Sequence, residues 1–564
     1  MLTILKDIDD IFKLEASDLV APGNLTDPWS NRKIRYQAFL DAQSIYERNI
    51  EVLTKILNNY HGVDYSIRYW SILCGPWLRL FSNRLQHFWS CFEVIENRNN
   101  ITIDLPNFNL DELVANDSQV FQKIAQTDIW NQLVLGEIAT IFGFNITLQE
   151  VSSPNISNIP LFKKSPTKIQ KILDLILPFL NPIIKNEVLV IRSNLFTYQK
   201  IKLFFRLRER PYFEGTKFNL PTNFTYNHSI RDSLSRKFNK NKNNDINTGF
   251  QNFLDEKIMY HLPKAYLEGF AMLEDLVQKS GLPKAPRVIA TGDLWSPSEV
   301  LKMYAASKIE SGTRLCIICH GGQSGLYSDY HTHEINICDR WFSYGMKGDS
   351  EKYFSGFNIK TKKQSKITGK ERSLLLILTE VPENIEMIAA TPSYEQFKNG
   401  YTEDQITFID SLSPGILSDL NVRLAENFSS LIEKRITKNF PEVNIIYRKE
   451  VLKPWIINAK ITVITYNMTS LVEALGANKP TVVFFREENF EMNAAATPVY
   501  KALKSCNIFH DTPASAAEHV NLIWDDVESW WTLPEVRAAI SLYCSEFARV
   551  SENPTKDLVT FMDF

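Results

Sequence analysis

The spacing of apolar and polar positions divides the chain into stretches of different period. Residues 29–59 carry apolar side chains at helical spacing with mixed charges between them. Residues 66–96 repeat that spacing in a run rich in Trp and Phe, and Gly75-Pro76 predicts a break within it. Residues 1–145 therefore read as a mostly helical region. At 188–191 the run VLVI sits between polar flanks, as a short buried strand would, and 201–207 reads as a continuation of a β/α pattern. Residues 219–247 form an Asn- and Lys-rich insertion, expected to be a mobile surface loop. A long helix is predicted over 250–280, kinked at Pro263 and stopped by Gly281 with Pro283 beyond it.

Further along, alternation becomes clear. Strands are predicted at 288–290, 314–319, 374–378, 444–447, 461–465 and 481–485, with helices at 298–311, 412–436 and 470–475 between them. Residues 333–338 read as one more strand, with Glu334 and Asn336 on one face, and the tail from 513 is helical again. Near-continuous apolar strands alternating with helices indicate parallel sheets covered on both faces. The expected architecture is α/β with two Rossmann-like halves. A helical region over 1–145 forms part of the first lobe, which continues as α/β over 146–358. A Lys-rich linker at 360–370 leads to a second lobe over 371–530 and a helical tail over 531–564.

Composition narrows the function. A chain of 564 residues exceeds a single core, and 44% hydrophobic with 23% charged residues excludes wholesale disorder. Sixty-two basic against 65 acidic residues leave a net charge of −3, so no nucleic-acid partner is expected. Seven scattered cysteines do not suit a secreted disulfide framework. The first residues carry acids where an export signal would carry bases, and no window is long and apolar enough to span a bilayer. The expected setting is the cytoplasm, with peripheral association at the inner membrane face left open.

In open parallel sheets ligands bind beyond the carboxyl ends of strands, which directs attention to two stretches. After ITVIT come Tyr466, Asn467, Met468, Thr469, Ser470 and, one turn on, Glu473. A strand running into a helix start offers free amides and hydroxyls, suited to the phosphate of a nucleotide sugar, and Glu473 can accept from a ribose. Ser470-x-x-Glu473 also spells a capping box, which would only stabilise the helix start. After RLCIIC come His320, Gly321 and Gly322, where glycines let the backbone approach a ligand and an imidazole can donate to an anion or carry a proton. Glu334 and Asp339 follow close by, with Arg340 next to Asp339, and Asp293 ends an earlier strand. Arg68, in SIRYW, suits an acceptor platform. Two patterns are set aside: Cys316-Ile-Ile-Cys319-His320 resembles a haem-attachment motif but lies in a buried β-branched run. A zinc site from Cys319, His320, His331, His333 and Cys338 lacks a second Cys-x-x-Cys pair.

Taken in order, NYHGV at 59–63, SIRYW, GPWL, CHGGQSGL, His333-Glu334-Ile335, Asp339-Arg340, Tyr344-Gly345 and TSLVEALGANKPTVVF resemble a family of surface-polysaccharide (O-antigen type) biosynthesis transferases. That family is distantly similar to GT-B glycosyltransferases that add Kdo and related sugars to bacterial surface glycans. Cys319 stands where the family usually has Gln, and Gln86-His87 where it tends to have Asp-Arg. The resemblance implies a GT-B-like enzyme whose two Rossmann-like domains face a cleft. It would transfer a sugar from a nucleotide-sugar donor, CMP-Kdo-like, to a polysaccharide, lipopolysaccharide or lipid-linked glycan acceptor. Donor-binding candidates are Gly321, Gly322, Tyr466, Asn467, Thr469, Ser470 and Glu473; catalytic candidates are His320, Glu334 and Asp293. Arg68, Asp339 and Arg340 are the acceptor-side candidates. No metal or cofactor is required. The rival expectations are an epimerase or hydrolase of the same fold, and a scaffold without turnover.

Overall fold

The computed structural model describes residues 2–4, 27–95, 102–107, 110–150, 185–209, 220, 224–240, 249–295, 298–319, 321, 328–348, 350–361, 371–381, 388–389, 391–425, 430–447, 449–490 and 492–564. Its strands form three wholly parallel sheets. A small one joins β1 (Leu2–Ile4), β2 (Thr102–Asn107) and β3 (Asn145–Glu150). The second runs in sequential order through β4 (Val188–Ile191), β5 (Val288–Thr291), β6 (Arg314–Ile318), β7 (Arg340–Ser343) and β8 (Tyr353–Ser355). The third contains β9 (Ser373–Ile377), β10 (Leu420–Arg423), β11 (Asn444–Ile446), β12 (Ala459–Ile464), β13 (Thr481–Phe484) and β14 (Phe509–His510). Its order, β11-β10-β9-β12-β13-β14, reverses between β9 and β12. That is the doubly wound Rossmann arrangement, with a crevice at the carboxyl ends of the two strands where the order turns. Parallel strands buried on both faces must be apolar throughout, and β4, β5 and β13 are buried at every position.

Helices cover these sheets. α1 (Arg32–His61) is capped by the Asn31 side chain, which accepts from Lys33 N and Ile34 N, and ends at Gly62 with φ 68°. α2 (Ile67–Leu73) and α3 (Gly75–Glu93) are separated at Cys74, so the break expected at Gly75-Pro76 is real and Pro76 opens the new helix. Sixteen of the 19 residues of α3 are buried, Arg79 and Arg84 among them, which makes it the central helix of the first lobe. α4 (His228–Lys240), α5 (Asp329–Ile337) and α6 (Thr469–Gly476) follow, and α7 (Pro534–Phe547) and α8 (Pro554–Phe561) end the chain. α7 packs on α6, whereas α8 returns to the first lobe, where Phe561 meets Phe342 and Phe354 at ring-centroid distances of 5.0 and 5.4 Å.

Several expectations need correction. The polar insertion holds α4, because Arg231 is fully buried and bonds Glu268 with both Nε and Nη2 as well as the carbonyls of Met259, Tyr260 and Leu262. Leu234 and Phe238 give α4 its apolar face despite the basic composition around them. Residues 333–338 are not a strand: Thr332 N bonds Ser328 O and Cys338 N bonds Glu334 O, the i to i−4 pattern of a helix. The helix predicted over 412–436 contains β10, enclosed between β9 and β11, whereas the β/α continuation expected at 201–207 is met by the helix Thr197–Leu207 after β4. The helical region over 1–145 also contributes β1 and β2, and β3 begins at its last residue.

Candidate active site

β12 ends at Ile464, and the chain turns through Thr465, Tyr466 and Asn467 into α6. Thr465 Oγ1 donates to Ile377 O at 3.0 Å and bonds the Tyr401 hydroxyl, which also accepts from Thr379 N at 2.8 Å. These bonds tie the ends of β9 and β12 together at the switch point. The buried Asn467 accepts from the Tyr500 hydroxyl, so its side chain braces the turn. The helix begins one residue ahead of Ser470: its first internal bond runs from Leu471 N to Met468 O at 3.1 Å, and Met468 is the N-cap. Ser470 and Glu473 are therefore not a capping box. Ser470 Oγ instead bonds Tyr466 Oη at 2.6 Å, and the amides of Thr469 and Ser470 precede the internal bonding of the helix.

The first lobe meets α6 from the other side. A Cβ placed on Gly321 would lie 3.5 Å from Thr469 Oγ1, so Gly321, after β6, and the start of α6, 148 positions apart in sequence, form one locus. Asn358, beyond β8 and 1% exposed, donates to Val472 O at 3.1 Å and to Thr361 Oγ1 at 2.9 Å, and accepts from Lys360 N at 2.9 Å. Tyr344, at the end of β7, is buried near Glu473 and Cys319, and burial raises its phenol far above the ordinary value. Lys360 and Lys453 are close enough to act on Glu473: burial raises that carboxyl, and the two ammonium groups pull it back. Lys453 also lies 5.5 Å from the Phe196 ring centroid, on the loop after β4. Burial pushes Tyr466 up to about 12, with the Ser470 bond acting the other way. The locus offers helix amides, two hydroxyls and two lysines, a donor set suited to phosphate, beside a half-buried carboxylate.

The remaining candidates are distributed differently. Asp293 lies beyond β5, pairs with Arg192 at 2.9 Å and accepts from Trp295 N at 2.9 Å. Glu334 is fully buried on α5, and its charge reaches Cys319 at the root of the glycine loop. Burial, chiefly, pushes the Cys319 thiol up to about 12. Arg68 and Asp339 bind each other through two hydrogen bonds of 2.8 and 3.2 Å. Asp339 also accepts from Leu315 N at 2.7 Å, and Arg68 donates to Ile337 O at 2.8 Å. Arg340 donates to the carbonyls of Thr560, Phe561 and Asp563. These three side chains stand at the amino end of β7, at the edge opposite the glycine loop, and join α2 and the tail to the sheet. His320 and Gly322 lie outside the described residues. Lys360, Lys453, Tyr344 and Asn358 were not foreseen; Lys360 falls at the edge of the linker and Tyr344-Gly345 was noted only as a motif.

The sequence matches the model of the LIC12162 family transferases over residues 20–562, nearly its whole length. The chain belongs to this transferase family. It is accordingly an enzyme, and its fold is α/β, with parallel sheets in both lobes and the Rossmann order in the second. Among curated proteins none matches it. Solved structures with which this LIC12162 family transferase shares a fold-level likeness include Acinetobacter baumannii MurG, at 8% identity and TM-score 0.32 over 67% of this chain and 99% of that one. Another is WaaG, a glycosyltransferase involved in lipopolysaccharide biosynthesis, at 10% and 0.30 over 66% and 99%. A third is S. aureus MnaA with UDP, at 12% and 0.35 over 66% and 94%. At such values the likenesses add no argument to the strand order itself. No helix among the described residues of the LIC12162 family transferase is long and apolar enough to cross a membrane.

Proposed function

We propose that this transferase moves a glycosyl group from a nucleotide sugar to a hydroxyl of a surface-polysaccharide or lipopolysaccharide acceptor. The observation that carries the reading is the approach of Gly321, after β6 of one lobe, to the first turn of α6 in the other, with Lys360 and Lys453 acting on Glu473. In this reading the donor phosphate lies on the amides of Thr469 and Ser470, while Glu473 accepts from the ribose. The acceptor oxygen forms a bond to the anomeric carbon as the bond from that carbon to phosphate oxygen breaks. The electron pair leaves with the nucleotide, where the helix dipole and the lysines stabilise it without a metal. The acceptor proton passes to a carboxylate. Of the two candidates Asp293 keeps some solvent access, with a side chain 13% exposed, whereas Glu334 is fully buried, which favours Asp293 for this role. His320 and Gly322 complete the loop in this scheme.

The test is calorimetry with CMP, UDP, GDP and dTDP on the full chain and on a variant combining Ser470→Ala with Glu473→Ala. One nucleotide is expected to bind the parent, with affinity reduced at least tenfold in the variant while the circular dichroism spectrum is unchanged. Unchanged nucleotide affinity in the folded variant refutes the donor site. Sugar turnover by donor alone, with no acceptor consumed, would replace transfer by epimerisation or hydrolysis.

A further inference from the structure

Away from the crevice, three metal-ligating side chains of different chemistry meet inside the first lobe. His87 and Cys91 stand four positions apart on α3 and so share one face of that helix. Asp27, from the segment before α1, approaches the same face, with Oδ1 3.0 Å from His87 Nε2. One ligand atom from each of the three lies within 4.8 Å of the others. Asp27 and His87 are 5% exposed and Cys91 is fully buried. Ligands around a tetrahedral zinc stand roughly 3.3–3.8 Å apart, so small side-chain rotations would close the group around an ion. The second ring nitrogen of His87, Nδ1, is buried and has no hydrogen-bond partner among the described residues, which is costly for an imidazole held only by Asp27.

We infer that Asp27, His87 and Cys91 form a structural site for a divalent cation of the zinc class. The donor set is one thiolate, one imidazole and one carboxylate, which suits zinc or cobalt and is wrong for magnesium or calcium. Glu395 accepts from Asp27 N at 2.8 Å and so braces the backbone that carries the Asp27 ligand, leaving the fourth position to water. The Arg35 guanidinium donates to Trp29 O at 2.9 Å and to Gln396 Oε1 at 3.0 Å. The ion would have a definite task. The segment holding Asp27 reaches the second lobe, with Ser30 Oγ 2.7 Å from Ser393 Oγ, so a metal fixing Asp27 to α3 anchors this interlobe strap.

The experiment is metal loading of the full chain, stripped with a chelator and titrated with Co²⁺ under reducing conditions. The site predicts about one cobalt per chain, a near-ultraviolet thiolate-to-cobalt band and visible bands of four-coordinate intensity. Zinc should displace the cobalt and raise Tm. Cys91→Ser removes the thiolate band, and His87→Gln weakens binding tenfold or more while retaining it. A folded parent chain that takes up no cobalt or zinc at micromolar concentrations overturns the site, as does a thiolate band that survives in Cys91→Ser. Because nucleotide binding is not the readout, this result is independent of the proposed donor site.

Discussion

Asn358 couples the fold to the crevice, and its removal separates the two effects in a measurable way. Its side chain makes three hydrogen bonds, to Val472 O and Thr361 Oγ1 as donor and from Lys360 N as acceptor. Asn358→Ala breaks all three in a buried setting. At about 1 kcal/mol net for each bond the variant should lose about 3 kcal/mol of stability, read as a lower urea midpoint. The same change frees the backbone of Lys360, one of the two cations acting on Glu473. If Lys360 supports the donor phosphate, loss of its anchoring costs about 1 kcal/mol, or roughly fivefold in nucleotide affinity. Calorimetry below the unfolding range measures that part separately. A urea midpoint that drops with unchanged nucleotide affinity would refute the coupling and leave Asn358 a packing residue. An unchanged midpoint would refute the hydrogen-bonded bridge from the first lobe to α6.

Other consequences follow from the same contacts. Arg231→Met strands the Glu268 carboxylate and three carbonyls, and should cost about 3–5 kcal/mol, with α4 becoming the first site of proteolytic cleavage. Gly345 holds φ 136°, and a Cβ there would lie 2.3 Å from Ser545 O. Gly345→Ala should therefore cost about 2–4 kcal/mol and expose the tail after α7 to limited proteolysis. His519, lowered to about 4 by burial and then by His510, is neutral in the folded protein but protonates on unfolding below pH 6.5. The unfolded state thus binds more protons, and stability falls as pH drops from 6.5 toward 4, by up to about 1.4 kcal/mol per pH unit for this residue. Urea midpoints between pH 7.5 and 4.5 should fall less steeply in His519→Gln than in the parent; parallel curves would contradict this.

What the sequence determined by itself is the alternation that makes this an α/β protein and the strand-to-helix turn at Thr469–Ser470. A strand buried on both faces must be apolar at every position, so LLLI and ITVI stand out without any partner in view. Short strands stand out less. Leu420–Arg423 is four residues long and lies within a pattern that also fits a helix; only its place between β9 and β11 makes it a strand. His333-Glu334 alternates like a strand, yet packing against α3 decides for a helix: a Cβ on Gly75 would lie 2.7 Å from His333 Cε1. The glycine loop and the Ser470 segment were each visible alone, but their contact was not, because it spans the interface between lobes. Arg68 and Asp339, 271 positions apart, carried the right chemistry for a ligand and are spent on each other. Lys360, Lys453 and Tyr344 carry no motif that would single them out. A charge gains its role from the burial and the counter-charges around it, and those are properties of the tertiary structure alone.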